Sequence, residues 1–128
     1  MHVKPVINSA DRAVTSAALA LDKKAFNVRI LDIRKVSTIA DYLVLATGTS
    51  DKQVIAIADS VKSGLKKYGK AIDIEGAREG KWVVIDYGDV IVHVFLEDMR
   101  SYYDLDELWS NADEVPVPEE YLWEHREP

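Results

Sequence analysis

Residues 82 to 97 constrain this chain most: Trp82-Val83-Val84-Ile85-Asp86-Tyr87-Gly88-Asp89-Val90-Ile91-Val92-His93-Val94-Phe95-Leu96-Glu97. Two apolar runs flank a short polar turn, with one aromatic at the entry and another at the turn. The pattern predicts a β-hairpin over Lys81–Asp86 and Val90–Leu96. Gly88 tolerates positive φ, and Asp86 and Asp89 can hydrogen-bond the local backbone. No catalytic motif accompanies the hairpin, so function is expected on a displayed surface rather than in a cleft.

The flanking segments supply the other layers. Ser9 to Lys24 reads as a helix with an alanine-rich stripe at Ala10, Val14, Ala17, Leu21 and Ala25, capped by Asn8 or Ser9. Val28 to Ile33 reads as a strand, with Val28 and Ile30 on one face and Leu31 and Ile33 on the other. Tyr42 to Ala46 is almost wholly apolar, as a strand buried on both faces must be. Ser50 and Gln53 have capping-box spacing, and Val54, Ile57, Ala58, Val61, Leu65 and Tyr68 form a helical stripe that Gly69 ends. Ala71 to Ile74 is a short strand. Asp98 to Trp109 is helical, with a break near Asp104.

These elements predict an α/β fold: a mixed sheet of about five strands with helices packed on it. A length of 128 residues is one domain's worth. The domain is expected over residues 1–112, followed by an acidic, flexible C-terminal tail over 113–128 that contains Pro116 and Pro118.

Composition removes several chemistries. With no cysteine, disulfides, thiolate zinc sites and cysteine nucleophiles are excluded. No apolar run approaches the roughly 20 residues that span a bilayer. The first residues, Met1 to Ile7, are too short and polar for a secretory signal and lack the Arg/Ser bias of a transit peptide. A soluble, cytoplasmic protein with no membrane partner is expected. The net charge of −6 is unevenly placed: residues 97–128 hold 2 Lys/Arg against 11 Asp/Glu. The densest basic spots elsewhere are pairs, Lys23-Lys24, Arg34-Lys35 and Lys66-Lys67, so direct nucleic-acid contact is not expected. The acidic end suits a basic protein partner, or serves solubility alone.

Four groupings could carry chemistry. Thr47-Gly48-Thr49-Ser50, between strand and helix, looks like a phosphate-binding turn but lacks the Gly-Lys-Ser/Thr ending. Without that ending it reads first as an ordinary capped strand-to-helix turn. Asp73 and Glu75 share a strand face and, with Asp86, would make a three-carboxylate magnesium site. This is the enzymatic alternative, a metal-dependent nucleotidyltransferase, although the acids follow the glycine-serine turn at too great a distance. His93 lies between valines with no second metal ligand nearby; His2 and His125 fall near the termini. Trp82, Tyr87, Tyr102, Tyr103 and Trp109 are either core or, rimmed by Asp86 and Asp89, an exposed binding surface.

Thr47-Gly48-Thr49-Ser50 with Ile57-Ala58-Asp59 resembles the ribosomal silencing factor, or Iojap, family. So do the hairpin from Trp82 to Val94, with its Asp86-Tyr87-Gly88-Asp89 turn, and the closing Arg100, Tyr103, Leu105 and Leu108-Trp109-Ser110. The likeness runs from Ala10 to Ala112 and leaves the acidic tail outside. It implies a fold similar to nucleotidyltransferases without their activity, and neither cofactor nor metal. It also implies a homodimer that binds a protein of the large ribosomal subunit where the small subunit docks. Blocking subunit joining then represses translation. Carried onto this chain, the partner surface centres on Trp82, Asp86, Tyr87, Gly88 and Asp89, with His93, Arg100 and Tyr103 as further contacts.

Overall fold

The computed structural model describes residues 5–124; His2, His125 and the last residues of the acidic tail lie outside them. The chain runs α1 (Ser9–Asp22), β1 (Phe26–Asp32), β2 (Tyr42–Gly48), α2 (Asp51–Leu65), a 3-10 turn (Lys66–Tyr68) and β3 (Asp73–Glu75). It continues with β4 (Trp82–Asp86), β5 (Val90–Leu96), α3 (Glu97–Tyr103), α4 (Leu105–Leu108), β6 (Asp113–Val115) and α5 (Glu119–Glu124). The strands form one mixed sheet in the order β3-β4-β5-β2-β1-β6. β2 and β5 are parallel at its centre, and the other pairs are antiparallel.

Local chemistry sets the helix ends. The Asn8 side chain accepts the Asp11 N–H at 2.8 Å and starts α1. Ser50 accepts the Gln53 N–H at 3.1 Å and starts α2. Gln53 returns the favour, its Oε1 accepting the Thr49 N–H at 2.7 Å. The same side chain donates to the carbonyls of Lys23 and Lys24, so one residue closes the end of α1 and the beginning of α2. α1 stops at Asp22, two residues before the alanine stripe predicts, because Lys24 turns left-handed at φ 63°.

The sheet divides two packed layers. α1 and α2 cover one face through Ala13, Ala17 and Ala20, all fully buried, and Val54, Ile57, Val61 and Leu65. Their contact is close enough that a Cβ on Gly64 would lie 2.4 Å from Leu19. Ile30, Val83 and Ile85 meet them from the sheet. On the other face, Leu31, Ile33, Leu43, Leu45 and Phe95 form a smaller core with Met99, Leu105 and Trp109. Every residue of β2 is buried, as a strand with helices on both faces requires.

The sheet has six strands where the sequence predicts about five. Asp113–Val115, placed by sequence at the start of the acidic tail, pairs with Ile30–Asp32 as β6. The hairpin turn is tight: Tyr87 N–H donates to the Val90 carbonyl at 2.9 Å. Gly88 has φ 89°, the left-handed backbone that glycine adopts without strain. The Asp89 carbonyl accepts the N–H groups of Asp41 and Tyr42, which fixes the turn against the start of β2.

Candidate functional site

The hairpin carries two distinct groups of the predicted site residues. Trp82 stands at the entry of β4, opposite Phe95 in register, and His93 lies diagonally across on β5. Strand parity puts both side chains on the sheet face that α1 and α2 leave free. The Trp82 Nε1–H donates to His93 Nδ1 at 3.1 Å, which fixes the imidazole tautomer. Trp82 lies 5.1 Å from the Phe95 ring and 4.6 Å from Tyr103, which α3 brings in from above. Tyr102 meets Tyr103 edge-on at 5.0 Å. Burial pushes the His93 pKa down to about 4, so the ring stays neutral and keeps accepting from Trp82.

This cluster is half open. Phe95 is wholly buried, Trp82 and His93 are half-buried, Tyr103 is 48% exposed and Tyr102 79%. Exposed Glu97 and Asp98 begin α3, and exposed Asp104 ends it. An aromatic patch on an acidic element can anchor in a partner's apolar pocket while its rim attracts basic side chains.

The turn residues behave differently. Asp86 is about 13 Å along the strand from Trp82, at four residues' rise. Its Oδ1 accepts the Gly88 N–H at 2.7 Å, a local turn bond. Tyr87 has the parity of Val83 and Ile85 and is buried, 9% exposed, with the Arg12 guanidinium 5.2 Å from its ring centre. Burial raises its hydroxyl pKa to about 12. Asp89 is paired with the same arginine, 3.0 Å from Arg12 Nε. The structure therefore brings Trp82, His93 and Tyr103 together, and sets Asp86, Tyr87, Gly88 and Asp89 apart at the other end of the hairpin.

Arg100 turns inward. It is 9% exposed, and its Nε and Nη2 donate to Asp106 at 3.1 and 2.9 Å. Nη1 donates to the Thr47 hydroxyl at 2.7 Å and to the Asn27 carbonyl. Arg29 joins from β1, reaching Asp106 at 2.7 Å and Glu114 at 2.6 Å. Arg100 first, then Arg29, holds the Asp106 carboxyl down at about 2, and Arg29 keeps Glu114 below the usual carboxylate range. Asn27 and Asp104, both left-handed near φ 48°, bend the chain around this network. Sequence reasoning missed it, since its members come from β1, β2, α3, α4 and β6. Only the break at Asp104 left a local trace.

The enzymatic alternative is not assembled. Asp73 faces Asp86 across β3 and β4, but Glu75 faces Val84. Among the described residues no three His, Cys, Asp or Glu side chains converge as a metal site requires. Thr49 and Ser50 are occupied in capping α2, the ordinary role for that turn. Among the described residues no helix is long and apolar enough to cross a membrane.

The family described as ribosomal silencing factor during starvation, RsfS, matches residues 6–127. The shared pattern thus extends past Ala112 and takes in most of the acidic segment that the sequence reading left outside it. The Bacillus subtilis ribosomal silencing factor RsfS is 45% identical over 98 residues, covering 76% of this chain and 83% of that protein. The chloroplastic Iojap protein of Zea mays is 31% identical over 107 residues, 83% of this chain and 46% of that one. A crystal structure from Chromobacterium violaceum superposes with a TM-score of 0.79 at 33% identity, over 88% of this chain and 93% of that chain. A second, from Bacillus halodurans, gives 0.71 at 38% identity over 80% and 94%. The match takes in nearly the whole chain, and this chain belongs to the RsfS family of ribosomal silencing factors.

Proposed function

We propose that this protein represses translation by docking on a protein of the large ribosomal subunit and sterically blocking the small subunit. The observation that carries this reading is the half-open aromatic cluster of Trp82, His93 and Tyr103 beside an acidic helix. Ribosomal proteins are basic, so the acidic C-terminal quarter speeds and orients encounter while the aromatics supply affinity. Occlusion needs bulk and affinity and no turnover, in keeping with a non-enzymatic role in the cytoplasm. A homodimer would double the bulk.

Within this surface, Trp82 and Tyr103 are the anchors and His93 sets the Trp82 orientation. Asp86, Gly88 and Asp89 offer a second contact at the turn, with Tyr87 buttressing them from inside. Arg100 holds α3 in place and acts through Tyr103 rather than by touching the partner.

Sedimentation of the purified protein with separated ribosomal subunits, then with both mixed, tests the reading. Co-migration with the large subunit alone, with fewer joined ribosomes, is the expected result. Protein left at the top of the gradient with joining unaffected overturns it. Tyr103→Ala is expected to weaken docking by about 2 kcal/mol, near 30-fold, while leaving the melting curve almost unchanged, because the side chain is half exposed. Titration of the variant against isolated large subunits, with circular dichroism as the folding control, reads both quantities.

A further inference from the structure

The two edges of the sheet are not equally guarded. β6 is followed at once by Pro116 and Pro118, which obstruct pairing with a further strand. β3, at the other edge, has β4 as its one neighbour among the described residues, and no proline lies between Val6 and Val115. All three of its residues are exposed, and so is Ile72 just before it, at 73%. An open edge of this kind is a template for an added strand.

Beside that edge runs a groove of about 490 Å³ between α2 and β3. Ala71, Ile74 and Tyr87 make an apolar floor, and Lys62, Lys66 and Lys70 line the rim. Lys62 is 3.2 Å from Asp59; Lys66 and Lys70 are exposed and form no ion pair among the described residues. Strand parity turns Asp73 and Glu75 to the opposite face of β3. The groove lies on the face of the sheet that carries α1 and α2, away from Trp82 and Tyr103.

We propose that the outer edge of β3 docks an extended acidic peptide segment of a partner protein, which adds to the sheet as a seventh strand. Backbone pairing with β3 supplies affinity without regard to sequence, and the groove supplies selection. Alternate side chains of the incoming segment fall over the groove, where carboxylates meet Lys62, Lys66 and Lys70. The others fall beside Asp73 and Glu75, which accept neutral or basic groups and repel acids. A nucleic-acid strand is the poorer occupant. It would use the lysines but leave the strand edge and the Ile74 floor unused, and its evenly spaced phosphates could not keep clear of Asp73 and Glu75 as a peptide of alternating acidic and neutral residues does.

The probe is a fluorescein-labelled peptide of about eight residues, alternating glutamate with threonine, titrated by fluorescence anisotropy. Saturable binding is expected, with amide shifts at Asp73–Glu75 in the NMR spectrum of the labelled protein. Lys66→Glu combined with Lys70→Glu is expected to weaken binding about tenfold, with an unchanged far-ultraviolet dichroism spectrum. N-methylation of the peptide amides along one edge abolishes binding, whereas methylation along the other edge leaves it intact. No saturable binding, equal binding by both methylated peptides, or displacement of the peptide by oligouridylate would overturn the proposal. None of these results bears on sedimentation with the large subunit, so the two readings stand or fall separately.

Discussion

Replacing Arg100 with alanine is expected to cost about 3 kcal/mol or more of folding stability, the usual penalty for removing one member of a buried charged network. The guanidinium serves three partners at once: the Asp106 carboxylate, the Thr47 hydroxyl and the Asn27 carbonyl. Thr47 is 1% exposed with the guanidinium in place, and the variant takes away the donor that its buried hydroxyl now accepts from. Arg29 still reaches Asp106, which keeps the cost below that of a fully abandoned carboxylate. Urea denaturation measures the change, and thermal unfolding should fall by on the order of 10 °C. Arg100→Lys should recover only part of it, since an ammonium cannot hold Asp106 with two parallel bonds and still reach Thr47. A loss under about 1 kcal/mol for the alanine variant would show the network to be idle.

The second large effect is an acid sensitivity centred on His93. Its folded pKa is about 4 against 6.5 for the free side chain, because burial disfavours the charged ring. The unfolded chain therefore binds a proton between pH 6.5 and 4 that the folded chain refuses. Stability is full above about pH 6.5 and falls as the pH drops towards 4, by up to about 3 kcal/mol. Protonation at Nδ1 also removes the acceptor for the Trp82 indole, so tryptophan emission should change near the folded pKa. Asp106 adds a separate, lower window, with its contribution lost between its ordinary 3.8 and about 2. His93→Phe should flatten the upper window and leave the lower one in place. Denaturation midpoints at a series of pH values distinguish the two, and an unchanged profile in the His93 variant would reject the assignment.

Much of the fold is legible because the signals are local. The hairpin follows from alternating apolar residues around Gly88, α2 from Ser50 and Gln53, and the break before α4 from Asp104, which turns left-handed. β1 shows its two faces in sequence, with Val28 and Ile30 in one core and Leu31 and Ile33 in the other. β6 is not legible. Asp113-Glu114-Val115 has a single apolar residue, and its partner Ile30–Asp32 lies some eighty positions earlier. Its pairing owes much to Arg29 and Glu114, a contact no local pattern records.

The candidate site was readable as a list and not as an arrangement. Trp82, His93 and Tyr103 converge because register sets the first two diagonally and α3 folds back over them. The aromatic pattern leaves Tyr87 open between core and surface and the family resemblance puts it on the surface, yet period-two counting from Val83 and Ile85 puts it in the core, where it is 9% exposed. Arg100 reads as a surface charge on a short helix until its three partners from other elements are placed around it.

The central pairing of β2 with β5 also governs how the chain assembles. β2 is apolar throughout, and its neighbours reach it at very different times: β1 is joined by a short loop, whereas β5 arrives only after α2, β3 and β4. Parallel contacts across such a separation form late, since their loop must close before they give any return. Until the hairpin docks, an uncharged strand with one open edge is available to any other chain in the same state. The nascent protein is thus most prone to aggregate after β2 has been synthesised and before Leu96 is, and the strand that organises the finished sheet is the main hazard on the way to it.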